Sequence, residues 1–279
     1  MKTLDDKVVV ITGAGSGIGR AVALNVAAKG ALVAVSDWNE DGLAETVELL
    51  KNAGAREVKA DRLDVSDREA FGAYARGVNE HFGRVNVIVN NAGVSHTGPI
   101  TEMEYADFEW IVGINFWGVV HGTREFLPHL IESGDGHVVN ISSLFGLVAM
   151  PGQSTYNATK FAVRGFTEAV REDMILAKHP VGVTCVHPGG IKTGIARNGR
   201  VTSGEDKAAI AGTFDKKLAR MTPDKAAEII VEAVLTAKPR VLVGADAHAI
   251  HWIGKLLGAR YEDVFARAAR VVLPRRRSA

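Results

Sequence analysis

With only one cysteine, Cys185, the sequence can form no internal disulfide, and the apolar run around it, VGVTCVHP, reads as the setting of a buried thiol. That usage fits a reducing cytoplasm. An excess of one charge is missing too: 33 basic residues stand against 32 acidic ones, a formal net charge of +1 that sets up no broad field for nucleic acid or an anionic membrane. A small-molecule substrate is the expectation. No run of eighteen apolar residues occurs, and the opening MKTLDDKVVVITG has neither the apolar core nor the cleavage site of a signal peptide, which predicts a chain neither exported nor stably inserted in a membrane. The histidines and the cysteine form no H-x-x-x-H, C-x-x-C or H-E-x-x-H pattern, so metal catalysis has no support and His187 before Pro188 reads as a structural strand-end residue. Repeats and Pro/Gly/Ser linkers are absent as well, so the prediction is one domain over residues 1–279.

What is present is a regular alternation. Short β-rich runs, KVVVIT, ALVAVSD, VKADRLD, VNVIVNN, GHVVNIS, VGVTCVH and RVLVG, are separated by helical periods near 17–29, 40–52, 67–82, 101–131, 155–178 and 223–237. Seven strands with helices on both faces make an α/β doubly wound sheet of the Rossmann type. The alternation breaks at 189–222, a long and weakly patterned insert of the kind that serves as a lid or substrate-binding loop. Residues 245–279 close the chain as a helical extension with mixed charges and a basic end. Packing against the lid or a sister subunit is expected of it, ahead of an interfacial membrane anchor, and RRRSA reads as a disordered tail.

The first strand runs into TGAGSGIG and then a helix. Gly13, Gly15, Gly17 and Gly19 permit a tight turn, and the N–H groups around Ser16, Gly17 and Ile18 then face outward at a helix N-terminus, a cradle for a pyrophosphate. The second strand ends in Asp37, placed to accept hydrogen bonds from an adenosine ribose and to repel a 2′-phosphate. Neither Ser16 nor Trp38 is basic, so NAD is expected over NADP. Asp64 reads as a contact to an adenine amino group, with a helix-capping role as the alternative, while Val65 would touch the ring. Further along, STYNATK sets Tyr156 and Lys160 at i and i+4 on one helix face, with Thr155 as a candidate cap.

These residues, in this order, resemble the short-chain dehydrogenase/reductase family over nearly the whole chain. TGAGSGIG matches its T-G-x-x-x-G-x-G loop, NNAG at 90–93 its fourth-strand motif, and Asn115 in GINFWG its helix asparagine. Ser143, thirteen residues before Tyr156, YNATK and the segment HPGGIKT complete the match. The resemblance implies seven parallel strands in the order 3-2-1-4-5-6-7 and hydride transfer between NAD(P) and an alcohol or carbonyl. It further implies that Asn115 holds a water on Lys160 through its backbone carbonyl, and that Lys160 binds the nicotinamide ribose. Asn90, Asn91, Ala92 and Gly93 would shape the cofactor wall, and Pro188, Gly189, Ile191 and Thr193 would contact the nicotinamide end. Dimers or tetramers built on the two long helices, 101–131 and 155–178, are implied as well.

The chemistry of these side chains agrees with that assignment. Oxidising an alcohol requires a base for its hydroxyl proton, and a phenol, with an ordinary pKa of about 10, serves only if a cation stabilises the phenolate. Lys160 is expected to do so for Tyr156, while Ser143 donates to the substrate oxygen. Around Ser143 and in the insert, Ser95, Phe145, Met150, Gln153, Ile195 and Phe214 form a largely apolar candidate pocket, which predicts a hydrophobic secondary alcohol or ketone unless Arg197 or Arg200 supplies a charge clamp. Two alternatives stay open. A silent dinucleotide sensor normally lacks the serine or tyrosine, and an epimerase or dehydratase on the same fold normally has a longer C-terminal region.

Overall fold

The structure, a computed structural model, describes residues 1–272, so the predicted disorder of RRRSA lies outside the described residues. Seven strands, β1 (Val8–Thr12), β2 (Leu32–Asp37), β3 (Val58–Arg62), β4 (Val87–Asn90), β5 (Gly136–Ile141), β6 (Val181–Pro188) and β7 (Arg240–Val243), form one parallel sheet in the order β3-β2-β1-β4-β5-β6-β7. This is the expected doubly wound order. Branched side chains pack well on a pleated surface, and a parallel sheet covered on both faces buries whole strands: all five residues of β1 and all six of β5 are buried.

Helices α1 (Gly17–Ala27), α2 (Glu40–Asn52) and α3 (Arg68–Phe82) follow the first three strands, and the caps fix where two of them start. Asn39 accepts from the Gly42 N–H, and Asp67 accepts from those of Glu69 and Ala70. Next come α4 (Tyr105–Val112), a π turn over Gly113–Trp117, α5 (Gly118–Glu132) and α6 (Ser154–Leu176). One apolar core lies between the sheet and α1 with α9 (Pro223–Leu235), and a second lies between the opposite face and α3, α5 and α6. Each fully buried Val, Ile or Leu contributes about 1.5–3 kcal/mol, so truncating Ile11, in the first core, to alanine costs about 2–5 kcal/mol.

The insert is more regular than its sequence suggests. It holds a short helix α7 (Ile195–Asn198), then α8 (Lys207–Thr213), capped by Asp206, and a second π turn over Phe214–Leu218. Arg200–Val201 pairs in parallel with His96–Thr97, a two-stranded ribbon that fastens the insert to the loop after β4. The C-terminal extension folds as α10 (Ala245–Leu257) and α11 (Tyr261–Val272). It packs on the loop after β5: the Tyr261 hydroxyl accepts the Ala149 N–H at 2.9 Å, and Tyr261 and Phe265 join Phe145 in a small apolar cluster. Among the described residues no helix is long and apolar enough to cross a membrane.

Candidate active site

The strand order reverses between β1 and β4, and an α/β sheet opens a crevice at the C-terminal ends of its strands at such a point. A cavity of about 1320 Å³ lies there. Of the residues expected to hold a dinucleotide, all but Gly19 and Asn90 line it, from Gly13, Asp37 and Asp64 at one end to Pro188 and Thr193 at the other.

Local packing explains the glycines. Gly13 and Gly17 have φ of +65° and +54°, conformations that strain any other residue, and a Cβ on Gly19 would overlap the carbonyl oxygen of Gly13. Ser16 is extended and makes no side-chain cap, so the first N–H groups of α1 have no side-chain acceptor. Asp37 Oδ2 accepts the Gly15 N–H at 2.8 Å and Oδ1 the Asn39 N–H at 2.9 Å, which holds the carboxylate at the rim beside the 70%-exposed Trp38. An uncapped helix start facing a glycine cradle, with a fixed carboxylate beyond it, suits a pyrophosphate and an adenosine ribose. NAD therefore fits the residues present. Asp64 does not cap α3. It accepts from the N–H and hydroxyl of Ser66, and Asp67, three residues on, is the cap.

The floor is tied together by the threonine of the TGAGSGIG loop and the second asparagine of NNAG. Thr12 Oγ1 accepts the N–H groups of Asn91 and Ala92 at 3.1 and 3.2 Å, and Asn91 Nδ2 returns bonds to the carbonyls of Thr12 and Gly13. Asn90, expected on the cofactor wall, instead points inward: its amide donates to Asn140 Oδ1 at 2.8 Å and to Thr123 Oγ1 at 3.2 Å. A strand-end side chain alternates faces, and position 90 falls on the buried one. Asn115, buried in the π turn, grips the backbone of Val94 through both its N–H, at 2.8 Å, and its carbonyl, at 2.9 Å. A Cβ on Gly93 would stand 3.3 Å from Asn115 Oδ1 and 3.4 Å from Lys160 Nζ, so glycine keeps this corner open.

Ser143, Tyr156 and Lys160 meet at the inner end of the cavity. Ser143 caps a single 3-10 turn through the Phe145 N–H, and its own carbonyl accepts from His187 Nδ1 at 2.9 Å. His187 is thus the structural residue its position suggested, and burial pushes its imidazole down to about 4. Lys160 Nζ donates to the Ile141 carbonyl at 3.0 Å and lies 5.7 Å from the centre of the Tyr156 ring, and burial pushes the ammonium down to about 8. The Tyr156 hydroxyl differs from the expectation. Burial pushes it above the ordinary phenol value and outweighs a Ser143 hydrogen bond that pulls the other way. Thr155 is not a cap either: α6 starts at Ser154, and Thr155 is buried against His96 Nδ1.

The substrate-pocket candidates Ser95, Phe145, Met150, Gln153, Ile195 and Phe214 all line the cavity. Both arginines are engaged by carboxylates, Arg197 by Asp215 and Arg200 by Asp107, with Arg200 also lying 4.0 Å from the centre of the Trp110 ring. Asp246, which carries no sequence signal, accepts the Gly190 N–H. Among the described residues no group of three or more His, Cys, Asp or Glu is placed to hold a metal, and Cys185 is buried, its thiol pushed up to about 12.

Comparison with known proteins agrees with this geometry. The family model described as short chain dehydrogenase matches residues 7–203. The protein SadH of Mycobacterium tuberculosis is 55% identical over 266 residues, covering 95% of this chain and 96% of that protein. The crystal structure of a short chain dehydrogenase/reductase from Burkholderia phymatum in complex with NAD superposes with a TM-score of 0.84 at 33% identity, covering 96% of this chain and 97% of the other. Levodione reductase superposes at 0.76 with 29% identity, covering 88% and 99%. The chain belongs to the short-chain dehydrogenase/reductase family, a family of oxidoreductases.

Proposed function

We propose that this protein is an NAD(H)-dependent oxidoreductase that interconverts a largely hydrophobic secondary alcohol and its ketone. The convergence of Ser143, Tyr156 and Lys160 at the end of one cavity, with the glycine cradle and Asp37 at the other, carries the reading. When bound, NAD supplies the hydride acceptor. The cradle from Gly13 to Gly19 would hold its pyrophosphate, Asp37 the adenosine ribose, Asp64 and Val65 the adenine, and Asn91 to Gly93 with Pro188 to Thr193 the remainder.

In this reading Ser143 Oγ donates to the substrate oxygen and orients the carbinol, and Tyr156 Oη removes its proton in oxidation or returns it in reduction. Both hydroxyls are fixed before substrate arrives, one on a turn held by His187 and one on a buried helix face. Lys160 binds the nicotinamide ribose, and its charge favours the phenolate. Asn115 keeps the Val94 backbone against the lysine, and its carbonyl is assigned the relay water. Phe145, edge-on to Tyr156 at 6.3 Å, and Gln153 bound the substrate side.

The remaining features are assigned in the same spirit. The chain acts as one catalytic domain in the cytoplasm, with the 189–222 insert and the C-terminal extension as substrate walls. Exposed Tyr105, Trp117 and Phe161 on the long helices support assembly into dimers or tetramers. Following NADH and NADPH production from a panel of secondary alcohols tests the assignment. Turnover with NAD on apolar members is expected, and no turnover of any alcohol or ketone with either cofactor would sink it.

A further inference from the structure

The cavity's lining extends beyond the residues assigned to the dinucleotide. At about 1320 Å³, it continues past Ser143 and Tyr156 into a region walled by the insert and the C-terminal extension. Ile195, Ile210 and Phe214 form one side of that region, and Ile250, Phe265 and Ala269 form the other. On α11, Tyr261, Phe265 and Ala269 recur at i, i+4 and i+8, so one face of the helix is turned inward. Tyr261 fixes the angle of that helix through its bond to Ala149, in the loop that carries Ser143. The arginines at this end are held by Asp215 and Asp107, and the Asp246 carboxylate is taken by Gly190. Three isoleucines, the Phe214 and Phe265 rings and a small alanine, with Glu205 and Lys207 also on the lining, are left to meet whatever extends from the reacting carbon.

We infer that the substrate carries a linear aliphatic tail, seated between the α8 segment and the α10–α11 pair while its hydroxyl or carbonyl lies at Ser143 and Tyr156. This inference rests on the function proposed for that site. An apolar wall discriminates by methylene burial, so binding tightens about fourfold per added methylene until the tail reaches solvent.

The test uses 2-alkanones of about four to twelve carbons, the range over which such burial accumulates. Binding to the full-length protein is followed by tryptophan fluorescence, since Trp110 lines the cavity, and NADH-dependent turnover is measured in parallel. Two variants narrow the region from opposite sides, Ala269→Trp and Ile210→Trp, so a folding failure in one leaves the other as the probe. The expected result is a dissociation constant that falls about fourfold per methylene in the wild type, with the series flattening at a shorter chain in a folded variant. Affinity independent of chain length, or the same slope in wild type and folded variants, overturns the tail assignment. A chain-length gradient in binding without turnover upholds the tail and removes instead the oxidoreductase assignment on which it was built.

Discussion

Asp246 Oδ2 accepts the backbone N–H of Gly190 at 2.6 Å, joining the first turn of α10 to the segment that follows β6. Gly189 leaves space for it, because a Cβ there would overlap the same carboxylate. The segment continues through Ile191 to Thr193, whose methyl group packs against Gly17 in the cofactor loop.

Removing that carboxylate is therefore expected to loosen the end of the cleft assigned to the nicotinamide. Asp246→Ala leaves the Gly190 N–H without its acceptor, a loss of about 1–3 kcal/mol. KM for NAD is expected to rise about tenfold in steady-state kinetics, with Asp246→Asn recovering part of it through its amide oxygen. An unchanged KM for NAD in the alanine variant would contradict the link.

Gly19→Ala tests the cradle itself. The added methyl overlaps the Gly13 carbonyl and crowds the Asn91 amide, and backbone on one side cannot rotate out of the way. Strain of this kind costs about 1–3 kcal/mol. Calorimetric titration is expected to show NAD binding weakened at least about tenfold, alongside a lower Tm.

The proposed preference for NAD turns on Asp37. Asp37→Ser removes the carboxylate that disfavours a 2′-phosphate and the acceptor for the Gly15 N–H together. The ratio of kcat/KM for NAD over NADP is expected to fall about 10–100-fold, as removal of a like-charge contact implies. A ratio that does not move would place the discrimination elsewhere in the cleft.

Acid stability follows from two buried imidazoles. Burial pushes both His137 and His187 down to about 4 from an ordinary 6.5, so between those values the unfolded chain binds protons that the folded one refuses. Their neutral forms contribute fully above pH 6.5, and that stability is lost as pH falls toward 4. Among the described residues His187 Nε2 has no hydrogen-bond partner, so protonation there gains nothing to offset desolvation. Denaturant melts from pH 7 to 4 should show stability falling through this window, with a shallower fall in His187→Gln.

Much of this was legible in the sequence because the signals are local. Unbroken branched runs such as VVVIT announce strands covered on both faces, and the glycine loop, Asp37, Ser143 and the Tyr156–Lys160 spacing each lie on one element with fixed geometry. What the sequence hid depends on contacts between distant segments. Asp246 reaches Gly190 from 56 positions away, His96 pairs with Arg200 across the chain, and Asp107 and Asp215 neutralise the two pocket arginines. Helix α8 carries no stripe in its sequence, because KAAIAGT is too short and too small-sided to form one. The burial that raises the Tyr156 hydroxyl is likewise a property of the assembled cleft, invisible in the i, i+4 spacing that identified the residue.

The central claim is that the Tyr156 hydroxyl moves the substrate proton. Single-turnover NADH formation from a secondary alcohol, compared between wild type and Tyr156→Phe with NAD affinity measured on both, tests it most directly. Loss of one hydroxyl from a buried position that also holds Ser143 and Lys160 is predicted to slow NADH formation about 10²–10⁴-fold while NAD still binds. Formation at the wild-type rate in the phenylalanine variant would contradict the account.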